Sequence, residues 1–273
     1  MNIKFFCPRW GSTSLSWDDF LVKVKNAGYD GIEYGIANNT PVSELETAWE
    51  KAGELGLLII PQHHETSDTD INKHCDNFAS WFEKIEPFEA IKVNSQTGKD
   101  FFSFEQNKRI IDVASDYTNR TGVPVYHETH RAKFSFAAHI TKEYLQKIPD
   151  LKLTLDISHW VNVAESYLHD QQEAVELALE RAEHLHARVG YPEGPQVPDP
   201  RSPEWNEALN IHLQWWDKVV ERIHKRSPGS LITISPEFGP YPYMVHVPGT
   251  SNPIADQWSI NVFMMQMLRA HYS

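Results

Sequence analysis

The sequence predicts an α/β protein, a closed (β/α)8 barrel of the TIM type. Three observations predict it. Short apolar runs alternate eight times with segments of helical periodicity, the pattern of βαβ units around a parallel sheet. The chain has 273 residues, close to the roughly 250 that eight such units need. Residues of metal-ligand type close four consecutive late runs, and a barrel brings the carboxyl ends of all its strands to one face. An open, doubly wound sheet would scatter them, and no GxGxxG follows the first run.

Strand one is expected over residues 3–7. Ser16 and Asp19 make a capping-box-like start to the first helix, and Gly28 stops it. GYDGIEYG carries strand two, residues 30–34. Thr40-Pro41 opens the next helix with Pro at its first position, and Leu45, Trp49 and Ala52 share one face. Strand three, residues 57–60, runs into Pro61, Gln62, His63, His64 and Glu65. A helix over 70–86 presents Phe78, Trp81, Phe82 and Ile85, and strand four follows over 89–94. Ser103 and Gln106 form a capping box ahead of Ile110, Val113, Ala114 and Tyr117, and Gly122 ends that helix.

VPVYHE is strand five. A helix over 140–148 leads to LKLTLD, strand six. One long helix is expected over 161–182, on the repeat Val175, Ala178, Leu179, Ala182. Strand seven spans 184–188. The Pro-rich stretch 191–205 reads as a stiff loop, a lid, an oligomer contact or a plain surface excursion. A helix with Leu209, Leu213, Trp216, Val219, Val220 and Ile223, strand eight over 231–235 and a last helix over 258–268 complete the count. No repeat, low-complexity tract or linker interrupts the alternation, so a single domain over 1–273 is expected.

Charge and composition narrow the function. With 37 acidic against 25 basic residues the net charge is -12, which opposes a phosphate backbone, so no nucleic acid partner is expected. The two cysteines, Cys7 and Cys75, form no CxxC, as in a reducing compartment. The N-terminus lacks a signal-peptide pattern, and no run approaches the roughly 18 apolar residues that span a bilayer. A cytoplasmic protein without a membrane partner is expected, with room for a homo-oligomer.

The chemistry concentrates at the strand ends. Glu128, Asp156, His186 and Glu237 close runs five to eight, which are neighbours in a barrel. Three carboxylates and one imidazole suit one divalent ion, manganese first, with magnesium, cobalt or zinc also admitted. On strand seven His184, His186 and Arg188 share one parity and point to the axis or mouth, His184 deepest and read as a hydrogen-bonded core histidine. One of His63 and His64 is expected to face the site. Glu33 ends strand two as a candidate for a sugar hydroxyl, and Lys92 and Asn94 share a parity that lines the pocket. Trp10 after strand one is a candidate to stack on a sugar face. His130 and Arg131 put extra polarity beside Glu128.

These motifs, in this order, resemble the xylose isomerase-like barrels, also called the sugar phosphate isomerase/epimerase family. The resemblance rests on GYDGIEYG, the strand-five Glu, DISHW as D-x-x-H, HLHAR as H-x-H, and SPEFG with the last Glu. It implies that Glu128, Asp156, His186 and Glu237 ligate one metal and that Glu128 and Glu237 double as acid and base. It implies substrate-binding roles for His159 and Arg188. A metal chelating a carbonyl and its neighbouring hydroxyl would favour an enediolate, so a sugar isomerase or epimerase is the first expectation. A lyase or hydrolase on a keto-sugar glycoside would use the same site. An endonuclease IV-like enzyme would need more ligands for its trinuclear zinc cluster and a less acidic chain. A non-catalytic sugar-binding barrel would not need the intact ligand set.

Overall fold

Eight parallel strands close in chain order, β1 pairing with β8 through Ile3 and Ile232. The computed structural model describes residues 1–65 and 67–273. The strands are β1 Ile3–Pro8, β2 Gly31–Gly35, β3 Leu58–His63, β4 Val93–Ser95, β5 Val125–Glu128, β6 Leu153–Leu155, β7 Ala182–His186 and β8 Ile232–Ser235. Around them lie α1 Trp17–Ala27, α2 Val42–Glu54, α3 Ile71–Ile85, α4 Phe104–Thr121, α5 Ala138–Lys147, α6 Ser158–Val163, α7 Gln172–Arg181, α8 Asn206–Arg226 and α9 Gln257–His271. The (β/α)8 barrel expected from the alternation is the observed fold. Among the described residues no helix is long and apolar enough to cross a membrane.

The local signals act as read. Ser16 accepts the amide of Asp19, and the Ser103–Gln106 box closes in both directions. Gly28 and Gly122 end α1 and α4 with φ of 93° and 76°, a region cheap only for glycine. Leu45, Ala48 and Ala52 of α2, and Phe78, Trp81, Phe82 and Ile85 of α3, are buried against the barrel wall.

Three expectations need correction. The segment 161–182 is not one helix. The sixth helix stops at Val163, where the Ser166 amide reaches back to the Val161 carbonyl at 3.2 Å and Glu165 takes φ 47°, a Schellman-type close. The repeat Val175, Ala178, Leu179 belongs to α7 alone, and Ala182 already begins β7. Strand three continues past Ile60 to His63, and strand four is confined to Val93–Ser95.

The polar side chains of the helices also fix the mouth. His212 of α8 is fully buried; its Nδ1 lies 2.8 Å from the Ala208 carbonyl, and its Nε2 accepts the Gly190 amide at 3.2 Å. This neutral tautomer anchors the backbone two residues beyond Arg188. Burial pushes its pKa down to about 4. Between about 6.5 and 4 the unfolded chain therefore binds a proton that the folded chain refuses. Stability from this residue is complete above about pH 6.5 and is lost as pH falls toward 4, by up to about 1.4 kcal/mol per pH unit. Denaturant unfolding of the wild type and of His212→Gln across about pH 4–7 should show a shallower acid slope for the variant.

Candidate metal centre

Inward parity explains which side chains meet. The residues facing the axis are Glu33 on β2, Gln62 and His64 at β3, Lys92 before β4 and Asn94 within it, Glu128 and His130 at β5, His184, His186 and Arg188 at β7, and Thr233, Ser235 and Glu237 at β8. Where the ladder ends, other groups take over. Beyond β6, the hydroxyl of Thr129 both accepts the Asp156 amide and donates to the Asp156 carbonyl, each at 2.8 Å. Beyond β8, Pro236 has no amide to continue the strand. There the Asn261 side chain of α9 accepts the Phe238 amide at 2.9 Å and donates back to its carbonyl at 3.0 Å. Glu237 is thereby presented to the mouth.

The structure brings Glu128, Asp156, His186 and Glu237 together. All four are buried, and one ligand atom from each lies within 4.8 Å of those of the other three. His186 Nδ1 lies 2.8 Å from Glu237 Oε2 and 3.8 Å from Glu128 Oε1. Among the described residues neither His186 Nδ1 nor Glu237 Oε2 finds a hydrogen-bond partner of acceptable geometry. Each atom has a lone pair to offer once an ion displaces the proton that the crowded carboxylates keep on His186. The charge points the same way. Glu128, Asp156 and Glu237 face one guanidinium, Arg188, which pairs with Asp156 and lies 3.4 Å from Glu237. The excess of two negative charges is what one divalent ion cancels.

The titration directions reflect this crowding. Burial, helped by Glu237 and Asp156, pushes Glu128 up to about 7. Burial also raises Asp156, with Arg188 opposing. Burial would push His186 down, but Glu237, Glu33 and Glu128 outweigh it and hold its pKa well above the usual value. Burial would raise Glu237, but His186 and Arg188 outweigh it and leave it lowered.

Below the quartet a polar column runs to the barrel floor. Lys92 donates to the Thr233 hydroxyl at 2.9 Å; that hydroxyl lies 2.7 Å from His184 Nδ1, and His184 Nε2 lies 3.2 Å from Glu33 Oε2. Glu33 also receives the Ser235 hydroxyl on Oε2, and on Oε1 the Asn94 amide at 2.9 Å and His186 Nε2 at 3.0 Å. The His186 proton is thus held on Nε2, leaving Nδ1 for the mouth. Asn94 spends its other hydrogen on Glu128 Oε2 at 3.0 Å.

Three sequence expectations change place. Glu33 does not line the cavity; it is walled in by His184, His186, Asn94 and Ser235 and orients the imidazole. Lys92 lies at the floor, bonded to Thr233 and to the Glu183 carbonyl at 3.1 Å, its pKa lowered by burial to about 8. His63 points outward between Phe78 and Trp81 of α3, because β3 continues and puts even positions inside; His64 is the one on the cavity. His184 is a hydrogen-bonded interior histidine.

The cavity above the quartet has a volume of about 480 Å³. Trp10, His130 and Arg188 stand on its wall. Arg188 Nη1 is buried without a partner among the described residues, and its Nη2 donates to His159 Nε2 at 2.9 Å. His159 is fully buried, with its ring 4.0 Å from that of His130. His130 and His159 also converge with Glu128 as a second group of ligand-type atoms. His159 accepts from a guanidinium that is always charged, so its proton sits on Nδ1 and it offers that group no lone pair. Tyr243, which no sequence motif marks, reaches the cavity from the β8–α9 loop, with its ring under Arg188 at 4.7 Å and Arg131 at 5.0 Å and against Trp10 at 5.1 Å. Gln62 is a further residue that the sequence reading misses. Its amide donates to Glu128 at 3.3 Å and Glu237 at 3.4 Å, and a strand carried two residues further would expose it.

No protein-family model and no curated protein matches the chain. Among solved structures it is similar to the probable 3-DHS dehydratase AsbF of Bacillus anthracis, involved in petrobactin synthesis, at 16% identity over 97% of this chain and 98% of that one, TM-score 0.59. It is similar to a family 2 AP endonuclease of Brucella melitensis at 12% identity over 96% and 98%, TM-score 0.62. It is likewise similar to endonuclease IV of Thermus thermophilus at 12% identity over 99% and 98%, TM-score 0.58. At such identity the likeness is one of fold.

Glu33→Gln would set an amide N–H against the Asn94 or His186 donor. It should weaken Mn2+ binding by about 10- to 100-fold in calorimetric titration of metal-stripped protein, while the melting temperature reports the fold. An unchanged affinity would show that Glu33 does not orient His186.

Proposed function

We propose that the chain is a divalent-metal-dependent enzyme that removes and returns the proton beside a sugar carbonyl, an isomerase or epimerase working through an enediolate. One observation supports the reading: three buried carboxylates and one imidazole converge within 4.8 Å, and the carboxylates outnumber the one guanidinium that faces them by two. Glu128, Asp156, His186 and Glu237 would hold the ion, manganese first, and when bound it supplies a Lewis acid that acidifies the proton beside the carbonyl. The rest falls to the side chains.

Glu128 and Glu237 approach the cavity from β5 and β8, and the Gln62 amide touches both. One removes the proton and the other delivers it, on an adjacent carbon for an isomerase or on the opposite face for an epimerase. Such acid–base help is worth about 100- to 10,000-fold. Arg188, through its Nη1, holds a substrate oxygen; His159, which the resemblance casts as substrate-binding, lies behind the guanidinium and positions it instead. His130 and the Trp10 ring bound the sugar. The net charge of -12 supports a small-molecule substrate over nucleic acid, although two of the similar barrels are named as endonucleases.

A lyase or hydrolase on a keto-sugar glycoside is the second reading. The observation that favours it is a cavity that continues past the quartet to α2.

Elemental analysis of protein purified without chelator should find about one divalent ion per chain, absent from Glu237→Gln. The same variant should lose ketose turnover by at least about 100-fold. No bound metal, together with no thermal shift on adding Mn2+ or Zn2+, would sink the reading. About three zinc ions would favour phosphodiester chemistry instead.

A further inference from the structure

The cavity is longer than the reaction proposed above requires. Its inner end is Glu128, Glu237 and Arg188, at the barrel axis. Its outer end is formed by Arg9, Trp10, Thr13, Tyr34, Thr40 and Glu44. Glu44 lies in the first turn of α2, a helix of the outer ring. Helices pack about 10 Å from the layer they cover, so the lining extends over the rim of the barrel from residues at the axis to one in the helix layer. One sugar ring on the ligands leaves the outer half unfilled. Cavities of about 300–1,000 Å³ hold ligands well above a monosaccharide in size, and this one has about 480 Å³.

The outer half is an open rim, with Thr13 and Glu44 exposed and Arg9 and Tyr34 buried beneath. Tyr34 is nearly fully buried, and its hydroxyl donates to Glu44 Oε1 at 2.7 Å, leaving Glu44 Oε2 for a ligand hydroxyl. Arg9 is fixed over the rings of Trp17 and Phe20, at 4.6 and 4.5 Å, and its Nη1 and Nη2 donate to the carbonyls of Ser12 and Leu15. Its charge is thus spent on the loop, and it presents a flat, immobile edge. Trp10 stands on edge against Tyr243, and Gly239 permits this, since a Cβ there would run into the indole. Aromatic rings, a carboxylate acceptor and a hydroxyl, with no unspent cation, suit a neutral ring that carries hydroxyls.

We propose that this outer half is a second subsite, which takes a further sugar ring linked to the sugar that reacts at the metal ligands. The substrate class is then a glycosylated ketose or keto-sugar rather than a free monosaccharide. The proposal rests on the reading given under Proposed function.

The test uses metal-loaded protein and calorimetric titration with fructose and with the glucosyl-fructoses linked through O3, O4 and O6. A stacked ring with one or two hydrogen bonds should make at least one disaccharide bind about 10- to 100-fold tighter than fructose. Thr40→Trp and, independently, Ala37→Phe fill the outer half from its wall. Each should cut that preference to about twofold or less, with metal content and melting temperature reporting the fold. If fructose and all three disaccharides bind equally, the second subsite is overturned and the metal-site reading stands. If no ketose binds to protein that holds its metal, both are overturned. If the preference survives both fillings, the second ring lies elsewhere and the proposal fails.

Discussion

Crowded negative charge around one imidazole is the constraint on which the site depends. Glu33, Glu128 and Glu237 all lie within 3.8 Å of a ring nitrogen of His186, and solvent reaches none of them freely. Burying charge in this way costs several kcal/mol per ion unless each is paired or hydrogen-bonded. The structure treats the carboxylates unequally. Glu33 receives Asn94, His184, His186 and Ser235 and is quenched. Asp156 takes Arg188 and the hydroxyl and amide of Ser158. Among the described residues Glu128 and Glu237 receive the long amide contacts of Gln62 and Gln96 and a shorter one from Asn94, and Glu237 faces His186 Nδ1 at 2.8 Å and Arg188 at 3.4 Å. Unmet demand is therefore concentrated where the cavity opens, and the matched pairs below it serve as support.

That inequality explains why the barrel interior is polar. A barrel of this kind is ordinarily filled by layers of branched apolar side chains. Here the column Lys92, Thr233, His184, Glu33 occupies that space, each member within hydrogen-bond distance of the next. Leaving one such group unpaired would cost the full desolvation penalty, so each member holds its neighbours in place. At the top Glu33 accepts from His186 Nε2, which turns Nδ1 to the mouth. The loops beyond the strands are held by the same means: Thr129 behind Asp156, Asn261 behind Glu237, His212 behind Arg188. Side chains mounted on such backbone keep their geometry when the charge at the mouth changes.

How much of this is legible in the sequence follows from which signals are local. Capping boxes, glycine stops and alternation are local, and they locate every strand and the barrel itself. The quartet is legible because its members sit at the ends of apolar runs. Parity is legible only where the strand bounds are right. Ending strand three at Ile60 leaves nothing to separate His63 from His64 or to single out Gln62 as facing inward. The inner face of Glu33 and Lys92 is readable, but depth along the barrel depends on strand stagger, which one strand's sequence does not contain. The break between α6 and α7 lies in a turn formed by Glu165, without a glycine to announce it. Tyr243 lies in a loop whose path is set by packing against Trp10 and Arg188, and no periodicity reports that.

Charge balance also bears on what the mouth can hold. With a divalent ion among Glu128, Asp156, Glu237 and Arg188, the cluster is neutral. Glu33 is balanced by Lys92 at the other end of the column. The remaining guanidinium on the cavity wall, Arg9, is tied to its own loop. Hydroxyls entering the cavity find Glu44, Gln96 and the Arg188 edge. Proton removal beside a carbonyl creates one negative charge on the substrate and erases one on the accepting carboxylate. The total inside the cavity is unchanged through the step, so the surrounding dipoles need little reorganisation, which is the condition under which a fixed polar site lowers a barrier most.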